Sequence, residues 1–292
     1  MTIRSVLSRF RKLLRKPGLR RSIVFTDRYG LRFILHPREN AEIYLVHKGN
    51  YELLETAFVE RYLQSGMTAF DIGANIGMYT MLFAKLVGPN GRVFAFEPEH
   101  RNFLRLIENI ALNKFDNIIA ERLAVMAEAG ECVLNTFEEN LNSWHSVGSP
   151  ELPDPWHSGE TVRPSGKQVV KAVVLDDYNA SNRIANVNLL KVDVEGAELD
   201  VLKGARKLLS AGYIGVVLFE VSQPQSQAMG HDPKELFSLL HTSGYHILSF
   251  ESEGAFRKQE YPLDDRYANY LAVNKTIYSA FSQSFHVNEH LA

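Results

Sequence analysis

The chain is poor in cysteine: Cys132 is the only one in 292 residues. An internal disulfide is thereby excluded, and a reducing compartment fits. No run of about 18 apolar residues occurs, so no segment reads as a membrane-spanning helix. The N-terminus lacks the continuous apolar stretch of a secretory signal. These absences predict a cytoplasmic protein. There is no internal repeat and no low-complexity tract. Neither G-x-G-x-x-G nor G-x-x-x-x-G-K-[ST] appears, which removes the usual dinucleotide fingerprint and the P-loop.

Acid is missing from one region. Residues 1–22 carry eight basic groups, from Arg4 to Arg21, and no Asp or Glu. The remainder holds 24 of the 32 basic residues against all 34 acids. Ile3, Val6, Leu7, Phe10, Leu13 and Leu14 recur at helical spacing among the basic groups, and Pro17-Gly18 ends the pattern. A basic amphipathic helix is predicted. Three uses fit it: docking through residues 1–16 on an acidic body, peripheral contact with an anionic membrane, or service as a presequence.

The most informative segment present is FDIGANIG at 70–77. A short apolar run leads into Asp71, glycines follow at 73 and 77, and an amphipathic run begins at Met78. This reads as strand, tight turn and helix start. Glycine there lets a backbone approach a ligand closely. Asp71 would oppose a diphosphate, at about 4 kcal/mol per like-charge contact near 4 Å and an effective dielectric of 20. It suits a ligand with an ammonium group, such as S-adenosylmethionine. Arg92–Phe96 reads as the next strand, and Glu97 after it falls where a nucleotide fold places its ribose-binding acid.

Other elements alternate in the same way. A hairpin is predicted at Ile23–Thr26 and Leu31–Leu35, and a helix over Tyr51–Leu63. A helix follows over Glu99–Leu112, then a third strand over Asn117–Val125. Val187–Val192 and Ile214–Phe219 read as buried strands ending at Asp193 and Glu220. Helices are predicted over Ala197–Leu209 and Pro233–Ser243, and strands over Tyr245–Phe250 and Tyr270–Val273. Residues 130–178 interrupt the rhythm with strands at Cys132–Phe137 and Gln168–Leu175, enclosing a polar, proline-bearing stretch that reads as a substrate-side insertion. Strands alternating with helices imply a parallel sheet with helices on both faces, its ligand site where the strand order reverses. Asp71, Glu97, Asp193 and Glu220 would gather at that edge, a costly grouping unless the acids are paired or face a cation.

FDIGANIGMYT, VFAFEP, LLKVDVEGAELDVLKG and VVLFEV, with HKGNYE at 47–52 ahead of them, resemble the FkbM-type S-adenosylmethionine-dependent methyltransferases. The resemblance covers roughly residues 45–275. It implies a class I methyltransferase fold, Rossmann-like, with a mostly parallel seven-stranded sheet and one antiparallel strand. A methyltransferase domain would then occupy 67–275. A hairpin and helix would precede it at 23–66, and a tail would follow at 276–292. The implied activity is O-methylation of a hydroxyl on a sugar, glycan or secondary metabolite. By match of motif, Asp71, Gly73, Asn75 and Gly77 would hold the methionine part of the cofactor. Glu97, followed by Pro98, would hold the ribose hydroxyls. Ala124 would lie near the adenine, and Glu52 would reach the methionine end.

Methyl transfer from a sulfonium needs an in-line acceptor and a base for its proton. Asp193, Glu195 and Glu220 are the candidates, with Asp193 or Glu195 ahead of Glu220. Asp193 also fits a cofactor ligand, and Glu195 also fits a helix-dipole partner. A magnesium site would use the same acids. Catechol-type enzymes, however, carry an Asp-Asn pair at the fifth strand, and here Val221-Ser222 follows Glu220, so no metal ligand is assigned. His145, in the insertion, is expected at the surface, and Trp144 or Trp156 could stack on a sugar. Nucleic-acid methylation is the competing activity. The D/N-P-P-Y/F signature and a Pro-Cys nucleophile are absent, and the acidic body opposes a phosphate backbone. An inactive cofactor-binding scaffold is the non-enzymatic alternative. Nothing in the pattern sets an oligomeric state.

Overall fold

The computed structural model describes residues 22–35, 51–137, 145–148, 152–153, 161–251, 255–262 and 267–289. The basic segment at 1–21, the lead-in at 47–50, Trp144 and Trp156 lie outside these residues.

The N-terminal hairpin forms as expected. β1 (Ile23–Thr26) pairs antiparallel with β2 (Arg32–Leu35). Helix α1 (Leu53–Tyr62) follows. The alternating unit then begins: β3 (Thr68–Ile72), α2 (Met78–Val87), β4 (Arg92–Phe96), α3 (His100–Asn113) and β5 (Ile118–Glu121). Glu99 caps α3, its carboxylate accepting from the Asn102 N–H at 2.8 Å.

After β5 the chain leaves the main sheet. The third strand expected over 117–125 is two strands, because β6 (Ala124–Val125) joins a separate sheet. That sheet also holds β7 (Gly130–Thr136) and β10 (Gly166–Val173), which pair antiparallel. Between them β8 (Leu152–Pro153) and β9 (Thr161–Val162) make a two-residue pairing. Leu175, expected as strand, instead opens helix α4 (Leu175–Ser181).

The alternation resumes with β11 (Val187–Val192), α5 (Glu198–Gly204), α6 (Arg206–Ser210), β12 (Ile214–Ser222), α7 (Gln223–Ala228), α8 (Pro233–Thr242) and β13 (Tyr245–Phe250). The helix expected over 197–209 is broken after Gly204. A Cβ there would overlap the Met126 carbonyl, so glycine marks a close crossing with the segment after β6. β14 (Phe256–Gln259), β15 (Tyr267–Asn274), α9 (Lys275–Ser284) and β16 (Val287–Asn288) complete the chain. Residues 275–288, read from sequence as a tail, bury Phe281 and Phe285 and close the sheet edge.

The main sheet runs β16-β14-β13-β15-β12-β11-β3-β4-β5. β3, β4, β5, β11 and β12 are mutually parallel, and β15 runs antiparallel between β12 and β13. The seven strands of the expected class I fold are therefore present, extended by β14 and β16. Side chains alternate between two cores. Ala69, Leu189, Val216 and Leu218 face the layer of α1, α2, α3 and α9. Phe70, Leu190, Val217 and Phe219 face that of α5, α6 and α8. Strand order reverses between β3 and β11, which opens a crevice at their carboxyl ends.

Candidate active site

Three strand ends are stitched together at that crevice. The N–H groups of Gly73 and Ala74 both donate to the Phe96 carbonyl, at 3.0 and 2.9 Å. The Asp193 N–H donates to the Ile72 carbonyl at 3.0 Å. Gly73 sits at φ +82°, and a Cβ on it would overlap the carbonyl oxygen of Asp193. The glycine is thus required by the contact between β3 and β11 as well as by the turn. Gly77, at φ +94°, serves packing: a Cβ there would lie 2.6 Å from Leu106 Cδ1. Gly77 does not line the cavity.

One cavity takes in Glu52, Asp71, Gly73, Asn75, Glu97, Pro98, Ala124, Asp193, Glu195 and Glu220. Every other residue expected at the site from sequence is therefore brought together. His145 also lines this cavity, contrary to its expected place on the surface.

Glu97 is 5% exposed, and both its oxygens are held by backbone. Oε2 accepts from the Asn75 N–H at 2.8 Å and Oε1 from the Glu99 N–H at 2.9 Å. Burial still pushes its carboxyl up to about 8. Asp71 Oδ2 accepts from the Thr80 hydroxyl at 2.5 Å, and burial raises this carboxyl against the pull of Lys191. Asp71 Oδ1 and Asn75 Oδ1 are buried and accept no hydrogen bond.

Lys191 is the residue that sequence reasoning missed. It is the register partner of Asp71 across β3 and β11. Its ammonium donates to Asp193 Oδ2 at 2.9 Å, lies 3.9 Å from Asp71 Oδ1, and sits 4.7 Å from the centre of the Tyr79 ring. Burial disfavours its charge, yet Asp193, Asp71 and Glu52 together hold it above the ordinary lysine range. The available signal was a lysine inside the otherwise apolar strand VNLLKV.

The remaining acids depend on side chains or on loop amides. Tyr79 donates to Glu52 Oε2 at 2.5 Å, and burial followed by the Asp193 charge raises Glu52 to about 7. Glu195 takes the left-handed conformation at φ +58°, and its carboxylate accepts from the Gln225 amide. Burial and Asp193 raise it well above the usual range. Glu198, also missed from sequence, accepts from the Val194 and Gly196 N–H groups at 3.1 Å and so fixes the loop carrying Glu195. Among the described residues, no donor is paired with the Glu220 carboxylate. Burial, then the charges of Asp193, Glu195 and Glu52, raise it well above the usual range.

Six carboxylates and one lysine thus line the cavity. With all of them ionised, the cavity carries a large excess of negative charge in a poorly solvated place. A ligand bearing an ammonium and a sulfonium complements it, and the unsatisfied Asp71 Oδ1 and Asn75 Oδ1 offer acceptors for that ammonium. A diphosphate would meet repulsion. Among the described residues, no three His, Cys, Asp or Glu side chains are grouped as metal ligands.

Known proteins agree with this chemistry. The Methyltransferase FkbM domain model matches residues 71–247. A hexuronic acid methyltransferase, AglP, of Haloferax volcanii is 27% identical over 245 residues, covering 82% of this chain and 89% of that protein. The 31-O-demethyl-FK506 methyltransferase FkbM of Streptomyces tacrolimicus is 33% identical over 159 residues, covering 49% of this chain and 60% of that one. The 2-O-methyltransferase NoeI of Sinorhizobium fredii is 29% identical over 143 residues, covering 48% and 58%. The family match spans more than half of the chain, and the protein belongs to the FkbM family of S-adenosylmethionine-dependent methyltransferases.

Proposed function

We propose that this enzyme methylates a hydroxyl group on a sugar or a secondary metabolite. The observation that carries the proposal is Glu220, a half-buried carboxylate in the wall of the cavity with no hydrogen-bond donor among the described residues. The names of the three relatives, two of them O-methyltransferases and one acting on a hexuronic acid, support the choice of acceptor.

Bound S-adenosylmethionine supplies an electrophilic methyl group. In this reading Asp71, Asn75 and Glu52 hold its amino-acid end, and Glu97 its ribose hydroxyls. Ala124 lines the adenine end. Lys191 engages Asp193 through a 2.9 Å charge-assisted hydrogen bond, which makes Asp193 a firm positioning group. Glu195 is tied to Gln225. Glu220 is left as the carboxylate able to accept the acceptor's hydroxyl proton, and it moves ahead of Asp193 and Glu195 for that role. Its raised proton affinity suits it to a poor nucleophile, and entry of a cation favours its ionised form. Such a base is worth about 10²- to 10⁴-fold, while alignment in a dry pocket supplies about 7–11 kcal/mol.

The test is methyl uptake from labelled S-adenosylmethionine into a panel of uronic acids, neutral glycosides, polyketide alcohols and RNA. Transfer to a hydroxyl compound is expected. Transfer to RNA alone would overturn the reading. Contact of residues 1–16 with a membrane or an acidic partner is a separate proposal. Liposome co-sedimentation that is unchanged on deleting residues 1–17 would remove the membrane half of it.

A further inference from the structure

The insertion after β7 returns to the cavity at residues 145–148. The Asn135 N–H donates to the Ser146 carbonyl at 2.8 Å, and the Asn135 amide donates to the Gly148 carbonyl at 2.7 Å. Gly148 packs closely on Met229, where a Cβ would lie 2.9 Å from the sulfur. This short segment is therefore clamped between β7 and the end of α7, and it presents His145 and Val147 to the cavity.

The two ends of the cavity are chemically distinct, and His145 belongs to one of them. Val147 packs with Ala124 and Leu134 in a small apolar cluster. The charged groups that act on His145 include Glu99 and Arg101. The segment that carries His145 thus meets the cavity beside Ala124 and Leu134.

The hydrogen bonding of the ring sets its tautomer. Nδ1 accepts the Phe137 backbone N–H at 3.0 Å, so its lone pair is used. Burial lowers the proton affinity of the ring, so it stays neutral near pH 7. The proton is then on Nε2, which can only donate. Adenine offers ring-nitrogen acceptors and one amino donor at its edges. A donor-only group can pair with the ring nitrogens alone.

We propose that His145 is an adenine-recognition residue, donating from Nε2 to a ring nitrogen of the cofactor's base. The inference rests on the cavity being the S-adenosylmethionine site. It assigns to the insertion, which reads from sequence as substrate-side, a part in holding the donor. The family motifs lie ahead of α1 and on β3, β4, β11 and β12 with the turns that follow them, and none of them includes this residue.

The experiment is calorimetric titration of the full-length protein with S-adenosylhomocysteine and its 1-deaza, 3-deaza and 7-deaza analogues. Wild type and His145→Phe are compared. In wild type, one analogue is expected to bind about 10-fold more weakly than the parent, the loss of a single hydrogen bond in a buried site. In His145→Phe the parent should fall by a similar factor, and that analogue should lose its disadvantage. A purely structural role, through the Phe137 N–H, would weaken all four ligands equally and keep their ranking. That outcome overturns the inference, as does equal binding of all four to wild type. His145→Gln retains a side-chain N–H donor and is expected to recover discrimination between parent and analogue if His145→Phe folds poorly. Failure of wild type to bind S-adenosylhomocysteine at all would overturn the cofactor site itself, a distinguishable result.

Discussion

The two ends of the cavity are built on different principles. At the β3–β4 end, Glu97 and the glycine turn are fixed by backbone, while Asp71 leans on the Thr80 hydroxyl. Two amides hold Glu97, and the Gly73 and Ala74 N–H groups bond to the end of β4. At the β11–β12 end, the acids that line the cavity are held by other side chains or, among the described residues, left without a donor. Lys191 holds Asp193, Gln225 holds Glu195, and Glu220 has no such partner. Backbone-held groups keep their geometry whatever their charge. Side-chain-held acids change their hydrogen bonding as protons move, which suits the end where a hydroxyl must lose one. The comparison teaches that binding and chemistry are separated along one crevice.

The separation can be broken at its seam. Gly73→Ala forces a side chain into the Asp193 carbonyl at a positive φ, so it should cost about 4 kcal/mol of stability and abolish S-adenosylhomocysteine binding. Urea unfolding and calorimetry read both effects. Wild-type stability in this variant would show that the strand ends are not pressed together.

Lys191→Met should cost about 3 kcal/mol, because it leaves the buried Asp71 and the half-buried Asp193 without their cation. Loss of stability at pH 8 should exceed that at pH 5.5, because burial raises the Asp71 carboxyl and lets it take up a proton more readily there. Equal loss at both pH values would mean that the lysine acts through packing on Tyr79 alone.

Glu220→Gln sharpens the comparison instead of breaking it. Turnover should fall by at least about 10²-fold while cofactor affinity stays within a factor of about three. Parallel loss of both would place Glu220 at the binding end. Near-normal turnover would return the role of base to Asp193 or Glu195.

The smallest expected effect is a pH slope. Glu97 is raised to about 8, and Glu52 and Glu198 to about 7, from an ordinary 4.5. The folded protein therefore binds these protons more tightly than the unfolded chain does. Stability of the ligand-free protein should be greatest near pH 5 and decline through pH 8. Melting temperatures at pH 5.5, 7 and 8.5 check the sign, and a rise across that range would contradict it.

The same contrast explains what was legible in the sequence. Asp71, Gly73 and Glu97 announce themselves because a turn, a strand end and a ribose-spaced acid are local signals. The parallel strands read clearly, since burial on both faces makes them continuous apolar runs. Lys191 escaped because its meaning lies in Asp71, its partner 120 residues earlier in the chain. Glu198 escaped because only the folded loop shows its two amide contacts. His145 read as a surface residue, since nothing local reveals that Asn135 and Met229 clamp its segment against the cavity. The broken helix at Gly204 and the closing elements at 275–288 likewise depend on contacts with distant chain.

The central claim is that an acid-lined crevice with one lysine is built to receive a cationic donor. Calorimetric titration of S-adenosylmethionine at pH 7, in two buffers of different ionisation enthalpy, tests it most directly. The account predicts binding with net release of protons, as carboxyl groups raised by burial and mutual repulsion ionise against the incoming charge. Failure to bind, or binding with net proton uptake, would contradict it.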